Sequence, residues 1–209
     1  MDGVRAHRIF AACYDRMNAS AEKAFLGRRR HELLSGLTGT VLDIGAGTGA
    51  NLTHLRSAQR VVAVEPDPAM RARLARRAAE MELPVELSAA SAEALPFADA
   101  SFDAVVFTLV LCTVSDPDAA LAEARRVLRD DGKLVLLEHV RGTGRLARAQ
   151  DLITPLWKVL GAGCHPNRDT LGTLRRRDEF ELEDVEKFSE LPRWLPTSPM
   201  LQVTARPTR

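Results

Sequence analysis

Three glycines at alternate positions, Gly45, Gly47 and Gly49, follow the apolar run Val41 to Ile44 in the stretch VLDIGAGTGAN. Where a strand turns sharply into a helix, glycine permits left-handed backbone and lets a ligand approach the main chain, and a helix N-terminus draws electron-rich groups. Asp43 lies just before the turn, where a carboxylate can organise loop amides or, through water, a ligand's amino group. Sixteen residues after Gly49, Glu65 closes a second apolar run, VVAVE. An acidic side chain at that place can accept both hydroxyls of a ribose. A third segment, SAEALPF from Ser91 to Phe97, offers backbone at Ala92 and the Glu93 side chain to the edge of an adenine.

The glycines alone leave the cofactor open, because Gly45, Gly47 and Ala50 also satisfy the relaxed dinucleotide pattern G-x-G-x-x-[GA]. Two features count against a nicotinamide. A chain of 209 residues leaves little room for a separate substrate domain, and the single tyrosine, Tyr14, is followed four positions later by Asn18 rather than lysine. The Tyr-x-x-x-Lys pair of short-chain dehydrogenases is therefore absent.

The elements that must hold these groups alternate along the chain. Val41–Ile44, Arg60–Val64, Val85–Leu87, Phe102–Thr108 and Lys133–Val140 are predicted strands, with helices over Gly49–Arg56, Pro68–Met81 and Pro117–Leu128 between them. Asp67 and Asp116 are expected to cap the last two helices, with Pro68 and Pro117 in their first turns. This alternation specifies a doubly wound α/β sheet, mostly parallel. Two helices, Val4–Met17 and Ser20–Ser35, are expected to form a cap over residues 1–36. Segment 142–178 is expected to cover the substrate, its Ile153, Leu156, Trp157 and Leu160 sharing one helical face. The tail predicts two more strands, Phe180–Phe188 and Met200–Ala205, as an antiparallel pair at one sheet edge. No linker divides the chain, so one domain over 1–209 is expected.

Composition narrows the partners. With 29 Lys+Arg against 28 Asp+Glu the formal charge is +1, which recruits neither nucleic acid nor an anionic membrane. The arginine clusters Arg28–Arg30, Arg71–Arg77 and Arg175–Arg177 are expected to be solvated helix faces. The three cysteines, Cys13, Cys112 and Cys164, are far apart and show no CxxC spacing, so neither a disulfide framework nor a metal site is expected. The N-terminus lacks an apolar targeting core and no run is long enough to span a bilayer. A cytoplasmic monomer or homodimer acting on a small molecule is the expectation.

From about Phe10 to Ala205 the chain resembles the class I S-adenosylmethionine-dependent methyltransferases with a type 11 methyltransferase domain. The residues that carry the resemblance are D-h-G-x-G-x-G at Asp43 to Gly49, Glu65-Pro66-Asp67, Ala92 to Phe97, and Phe102-Asp103. Within that family, GTGAN at Gly47 to Asn51, TLVLCTV at Thr108 to Val114, LEHV at Leu137 to Val140 and GCHPNRDT at Gly163 to Thr170 are similar to the methyltransferase-like proteins that S-methylate small alkyl thiols. The resemblance implies a Rossmann-like, seven-stranded sheet with an antiparallel terminal strand and S-adenosylmethionine as methyl donor. It implies cofactor contacts at Tyr14, Asp43, Gly45, Ala46, Gly47, Gly49, Asn51, Glu65, Pro66, Ala92, Glu93 and Leu109.

The reaction so implied is in-line attack of a nucleophile on the methyl carbon of a sulfonium, for which alignment and desolvation suffice. Ligands of open parallel sheets gather at the carboxyl ends of the strands, so Leu109–Thr113 and Glu138–Arg141 should border the methyl group. His139 is a candidate general base, or a hydrogen-bond partner for the covering segment. His165 and Arg168, with Arg141, could favour the thiolate of an acceptor whose ordinary pKa is about 8.5. His165, Asn167, Arg168 and Asp169 form a polar cluster that suits a substrate gate or, for Asn167 and Asp169, a loop with Asn167 as cap of the next helix. Cys112 suits packing, with soft-ligand chemistry such as arsenite methylation as the alternative use of the cysteines. Competing functions are C- or O-methylation of a quinone-like molecule, on the strength of YDRMN, AEALPF and EARRVLRDDGKL, and a cofactor-sensing protein without turnover.

Overall fold

The computed structural model describes residues 8–161, 163–192 and 194–208. Val4 to His7 of the first expected helix, and the side chains of Cys13 and Leu160, lie outside what is described. The elements are α1 (Arg8–Ala21), a π-helical turn (Glu22–Leu26), α2 (Gly27–Leu34), β1 (Thr40–Ile44), β2 (Arg60–Val64), α3 (Pro68–Ala78), β3 (Val85–Ser88), β4 (Phe102–Thr108), α4 (Pro117–Val127), β5 (Leu128–His139), α5 (Gly144–Leu160), α6 (Thr170–Arg176), β6 (Phe180–Phe188) and β7 (Met200–Pro207). The seven strands form one sheet in the order β3-β2-β1-β4-β5-β7-β6, parallel except for β7, which runs antiparallel to both β5 and β6.

The central strands are apolar on both faces because helices cover both. Leu42, Ile44, Val62, Val64, Val105, Phe107, Leu134 and Leu136 point to the side of α4 and α6, where they meet Leu121, Ala124, Leu171 and Leu174. Val41, Val61, Ala63, Ala104, Val106 and Val135 alternate to the other face, against Leu34, Leu52, Leu55 and Leu74. Each fully buried leucine such as Leu74 contributes roughly 2 to 3 kcal/mol by leaving water. Asp67 and Asp116 cap α3 and α4 as their position before proline predicts, each accepting two first-turn amides.

Four expectations are corrected. The two N-terminal helices are one continuous helical run, since no proline or C-capping glycine separates them; a π turn at Glu22–Leu26 adds a residue and buries both Phe25 and Leu26. The expected helix Gly49–Arg56 is reduced to a 3-10 turn at Leu52–His54, because Gly49 at φ +89° cannot sit in a right-handed helix. β5 begins at Leu128 rather than Lys133. In α5 the expected apolar face is turned inward only in part: Ile153 and Trp157 are half-buried but Leu156 is 59% exposed, and the most buried positions are Ala147, Gln150 and Thr154.

The strand order reverses between β1 and β4, and in open α/β sheets ligands bind at the carboxyl ends of the strands beside such a switch. The loops Gly45–Asn51 and Leu109–Thr113 leave those two strand ends. Among the described residues no helix is long and apolar enough to cross a membrane.

Candidate active site

Gly45, Gly47 and Gly49 all have positive φ, at +66°, +58° and +89°. They are not equivalent. A Cβ at Gly45 would lie 2.5 Å from the Val110 side chain, so this glycine lets the β1 and β4 loops touch, and one at Gly49 would lie 2.9 Å from Leu74. A Cβ at Gly47 meets only the Gly45 carbonyl at 3.9 Å. Above Gly47 there is room for a ligand to lie on the backbone.

Glu65, at the end of β2, is buried and grips this loop. Its Oε2 accepts the Gly47 N–H at 2.8 Å and its Oε1 the Asp67 N–H at 2.8 Å. Burial raises its pKa, opposed by those two amides. Each oxygen keeps a second lone pair, which is what a ribose diol requires. Ala46 donates to Val64 O at 2.9 Å and is buried, and the carbonyls of Glu65 and Pro66 are held by Arg71 at 2.7 and 3.0 Å.

Asp43 is fully buried. Its Oδ1 accepts from Asn51 Nδ2 at 2.7 Å, and its Oδ2 has no hydrogen-bond partner among the described residues. Burial pushes its pKa up to about 7, against the Asn51 hydrogen bond and the Arg30 charge. Asn51 turns inward, its amide divided among Asp43, Thr108 Oγ1 at 2.9 Å and the Arg30 guanidinium, so it positions Asp43. Arg30 also donates to Thr108 Oγ1 at 2.8 Å and Glu22 Oε1 at 3.1 Å. An orphaned carboxylate oxygen, an open glycine backbone and an acidic residue at the next strand end together fit the amino acid and nucleoside halves of S-adenosylmethionine.

The expected solvated cluster Arg28–Arg30 is corrected here. Arg29 and Arg30 are buried, Arg29 under Phe188 and paired with Glu186 and Glu190. A signal existed: Arg30 falls midway between the buried Leu26 and Leu34, at helical spacing on one face. Tyr14, Asn18, Leu26, Arg30, Ala50 and Leu109 are among the residues lining a cleft of about 420 Å³ beneath α1. Burial pushes the Tyr14 hydroxyl up to about 12.

Ala92 is buried, while Glu93 Oε1 accepts the Ser115 N–H at 2.9 Å and the Asp116 N–H at 3.3 Å, tying its loop to the start of α4. Leu109 adopts φ +60°, a left-handed conformation unusual for leucine, and donates its N–H to Leu137 O at 2.8 Å. The loop beyond it is organised by Glu138, which the sequence places at the border of the methyl group but to which it gives no role of its own. Its buried carboxylate accepts the amides of Val110 and Leu111, both at 2.8 Å, and of Cys112 at 3.3 Å; burial pushes its pKa up to about 7 despite those bonds.

The 163–168 segment closes on the same loop. His165 donates its backbone N–H to Cys112 O at 2.7 Å, its Nδ1 lies 3.2 Å from the same oxygen, and burial followed by the nearby Arg168 lowers its pKa. Arg168 donates to Leu111 O, and burial lowers its pKa too. His139, half-buried at the end of β5, has Nδ1 3.8 Å from Cys164 Sγ. Cys164 is drawn below its ordinary value by hydrogen bonding with Cys112, which is itself pushed up. Arg141 instead turns away to Asp151, and Asn167 joins it there, so the cap of α6 is Asp169. Buried Gln150 staples the covering loops, donating to the carbonyls of Val140, Pro166 and Pro196 and accepting from Gly142 N.

Residues 42–136 match the methyltransferase domain family. The thiol S-methyltransferase TMT1B of Homo sapiens is 35% identical over 184 residues, which are 82% of this chain and 75% of that protein. A demethylmenaquinone methyltransferase of Renibacterium salmoninarum is 41% identical over 104 residues, 49% of this chain and 42% of that one. The [4+2]-cyclase SpnF shares the fold with a TM-score of 0.72 and 20% identity, covering 95% of this chain and 94% of its own. With the glycine loop, Glu65 and Asp43 placed at the switch point of such a sheet, the chain belongs to the class I S-adenosylmethionine-dependent methyltransferases and, within them, resembles the thiol S-methyltransferases.

Proposed function

We propose that this methyltransferase acts on the sulfur of a small thiol. The observation that carries the reading is the similarity to a thiol S-methyltransferase over 82% of the chain, a span that takes in the acceptor-side segments Leu109–Thr113, Glu138–Arg141 and 163–168 as well as the cofactor loop. Tyr14, the glycine loop, Glu65, Pro66 and Ala92 hold the donor, with Leu109 beside the methyl group. Segment 142–178 acts as the cover over the acceptor, residues 1–36 as the cap over the donor, and the whole as one domain.

S-adenosylmethionine supplies a methyl group on a positively charged sulfur. The chain's part is to align the acceptor behind that carbon and exclude water, with Leu109 on the cleft wall and buried Val110 and Leu111 behind it. A thiol with a pKa of about 8.5 is already partly ionised, and the Arg168 guanidinium beside Cys112 and Glu138 favours the anion, so no strong dedicated base is needed. Incubation with S-adenosylmethionine and a panel of apolar thiols should yield methyl thioethers and S-adenosylhomocysteine. Turnover of phenols or quinols with none of the thiols would overturn the reading in favour of O- or C-methylation, which the 41% identity to the demethylmenaquinone enzyme over the core supports as second choice.

A further inference from the structure

Cys112, His139 and Cys164 come from three separate elements, yet their donor atoms all lie within 4.8 Å of one another. We propose that this trio is a zinc site, Cys112 Sγ, His139 Nδ1 and Cys164 Sγ supplying three ligands and leaving the fourth position for the sulfur of the acceptor. The second half of the proposal rests on the thiol reading above; the first does not.

The spacing suits a tetrahedral ion with small side-chain adjustment. Zinc–sulfur and zinc–nitrogen bonds of about 2.3 and 2.05 Å at tetrahedral angles place sulfur and nitrogen roughly 3.6 Å apart and two sulfurs roughly 3.8 Å apart. The observed Cys164 Sγ to His139 Nδ1 distance is 3.8 Å. Two cysteines and one histidine are also the donor set that selects zinc over harder cations.

The ligands are held before any ion arrives. Glu138, the neighbour of His139, fixes the amide of Cys112; His165, the neighbour of Cys164, donates its backbone to Cys112 O; Arg168 holds Leu111 O. Such partners orient the ligands of a metal site. Two thiolates also neutralise the charge of a divalent cation in this buried setting. Both cysteines are buried and His139 is half-buried, which leaves the open side of the ion on the histidine flank. Sequence spacing gave no hint of this, because the ligands lie 27 and 25 positions apart on different elements.

The chemistry suits the proposed reaction. A thiol that coordinates the ion gives up its proton to solvent and is held as thiolate at neutral pH. Its sulfur forms the bond to the methyl carbon while the sulfonium carbon–sulfur bond breaks, its electron pair staying on S-adenosylhomocysteine. The thioether formed is a weaker ligand and leaves.

The test is metal content of the full chain, purified with a non-thiol reductant, stripped with a chelator and dialysed against zinc. About one zinc per chain is expected in the wild type and little in Cys112→Ser/Cys164→Ser. Should that variant fail to fold, the wild type alone decides: zinc should protect Cys112 and Cys164 from alkylation, mapped by peptide mass spectrometry, and cobalt should give a thiolate charge-transfer band that zinc abolishes. No stoichiometric zinc together with unprotected cysteines overturns the site, whatever the enzyme methylates. Zinc bound and thiols methylated at least tenfold faster than by stripped enzyme supports both halves. Zinc bound with equal rates in stripped enzyme overturns the role of the fourth position, and zinc bound with no thiol methylated overturns the thiol reading while the site stands.

Discussion

Removing the Glu65 carboxylate separates two tasks that the structure gives to one side chain. Its oxygens each accept a backbone amide, Gly47 N and Asp67 N, at 2.8 Å, and each retains a lone pair toward the cofactor cleft. In Glu65→Ala both amides lose a charged acceptor in a site where Glu65 is only 7% exposed. Loss of the charged hydrogen bonds to the ribose, about 1.5 to 3 kcal/mol taken together, should weaken binding of S-adenosylhomocysteine by roughly 10- to 150-fold. Glu65→Gln keeps the length and one acceptor but sets an NH₂ group against a backbone N–H, and should fall between. Isothermal titration calorimetry with S-adenosylhomocysteine measures the affinity, and urea unfolding without ligand measures how much of the loss comes from the loosened loop. An unchanged dissociation constant in Glu65→Ala would refute the ribose assignment; a fall in affinity fully matched by loss of apo stability would reduce Glu65 to a loop clamp.

Gly47→Val should abolish cofactor binding while costing the fold only about 1 to 2 kcal/mol of left-handed strain, because its Cβ enters open space; Gly45→Ala, which collides with Val110, should instead lower the melting temperature. Calorimetry beside a thermal melt distinguishes them, and normal cofactor heat in Gly47→Val contradicts the assignment. Arg30→Met leaves Asn51 Oδ1 without its buried donor and should cost about 1 to 3 kcal/mol by urea unfolding, where no measurable loss would return Arg30 to the surface role the sequence suggested. Asp43 has its pKa raised from an ordinary 3.8 to about 7, so the native state binds its proton more tightly than the unfolded chain. Its contribution to stability is therefore complete below about pH 4 and lost as pH rises through 7, about 4 kcal/mol in all. Unfolding curves of wild type and Asp43→Asn between pH 4 and 8 should show the wild type losing ground to the variant across that window, and parallel curves would sink the assignment.

The periodic strands were legible because each reports its own burial: Val61–Val64 and Ala104–Phe107 are apolar without interruption, as central parallel strands must be. Asp67-Pro68 and Asp116-Pro117 announced their helices by local cap chemistry. Periodicity predicts a helix from Gly49 because it does not count the positive φ that the loop imposes there. In α5 the sequence misses Gln150 and Thr154 as inward positions, since both look outward by polarity, and only the carbonyls of Val140, Pro166 and Pro196 around Gln150, and that of Gln150 beside Thr154, explain why they point in.

By itself the sequence determined the sheet, the glycine loop, the acidic residue beside it and the kind of cofactor they serve, because those features depend on residues close together in the chain or on periodicity within one element. Tertiary structure alone decided that Arg30 reaches Asn51 and Thr108, that Glu138 gathers the amides of Val110 to Cys112, and that Cys112, His139 and Cys164 meet. These are groups brought together from different elements, where burial strips away water and leaves each polar atom to find its partner across the fold.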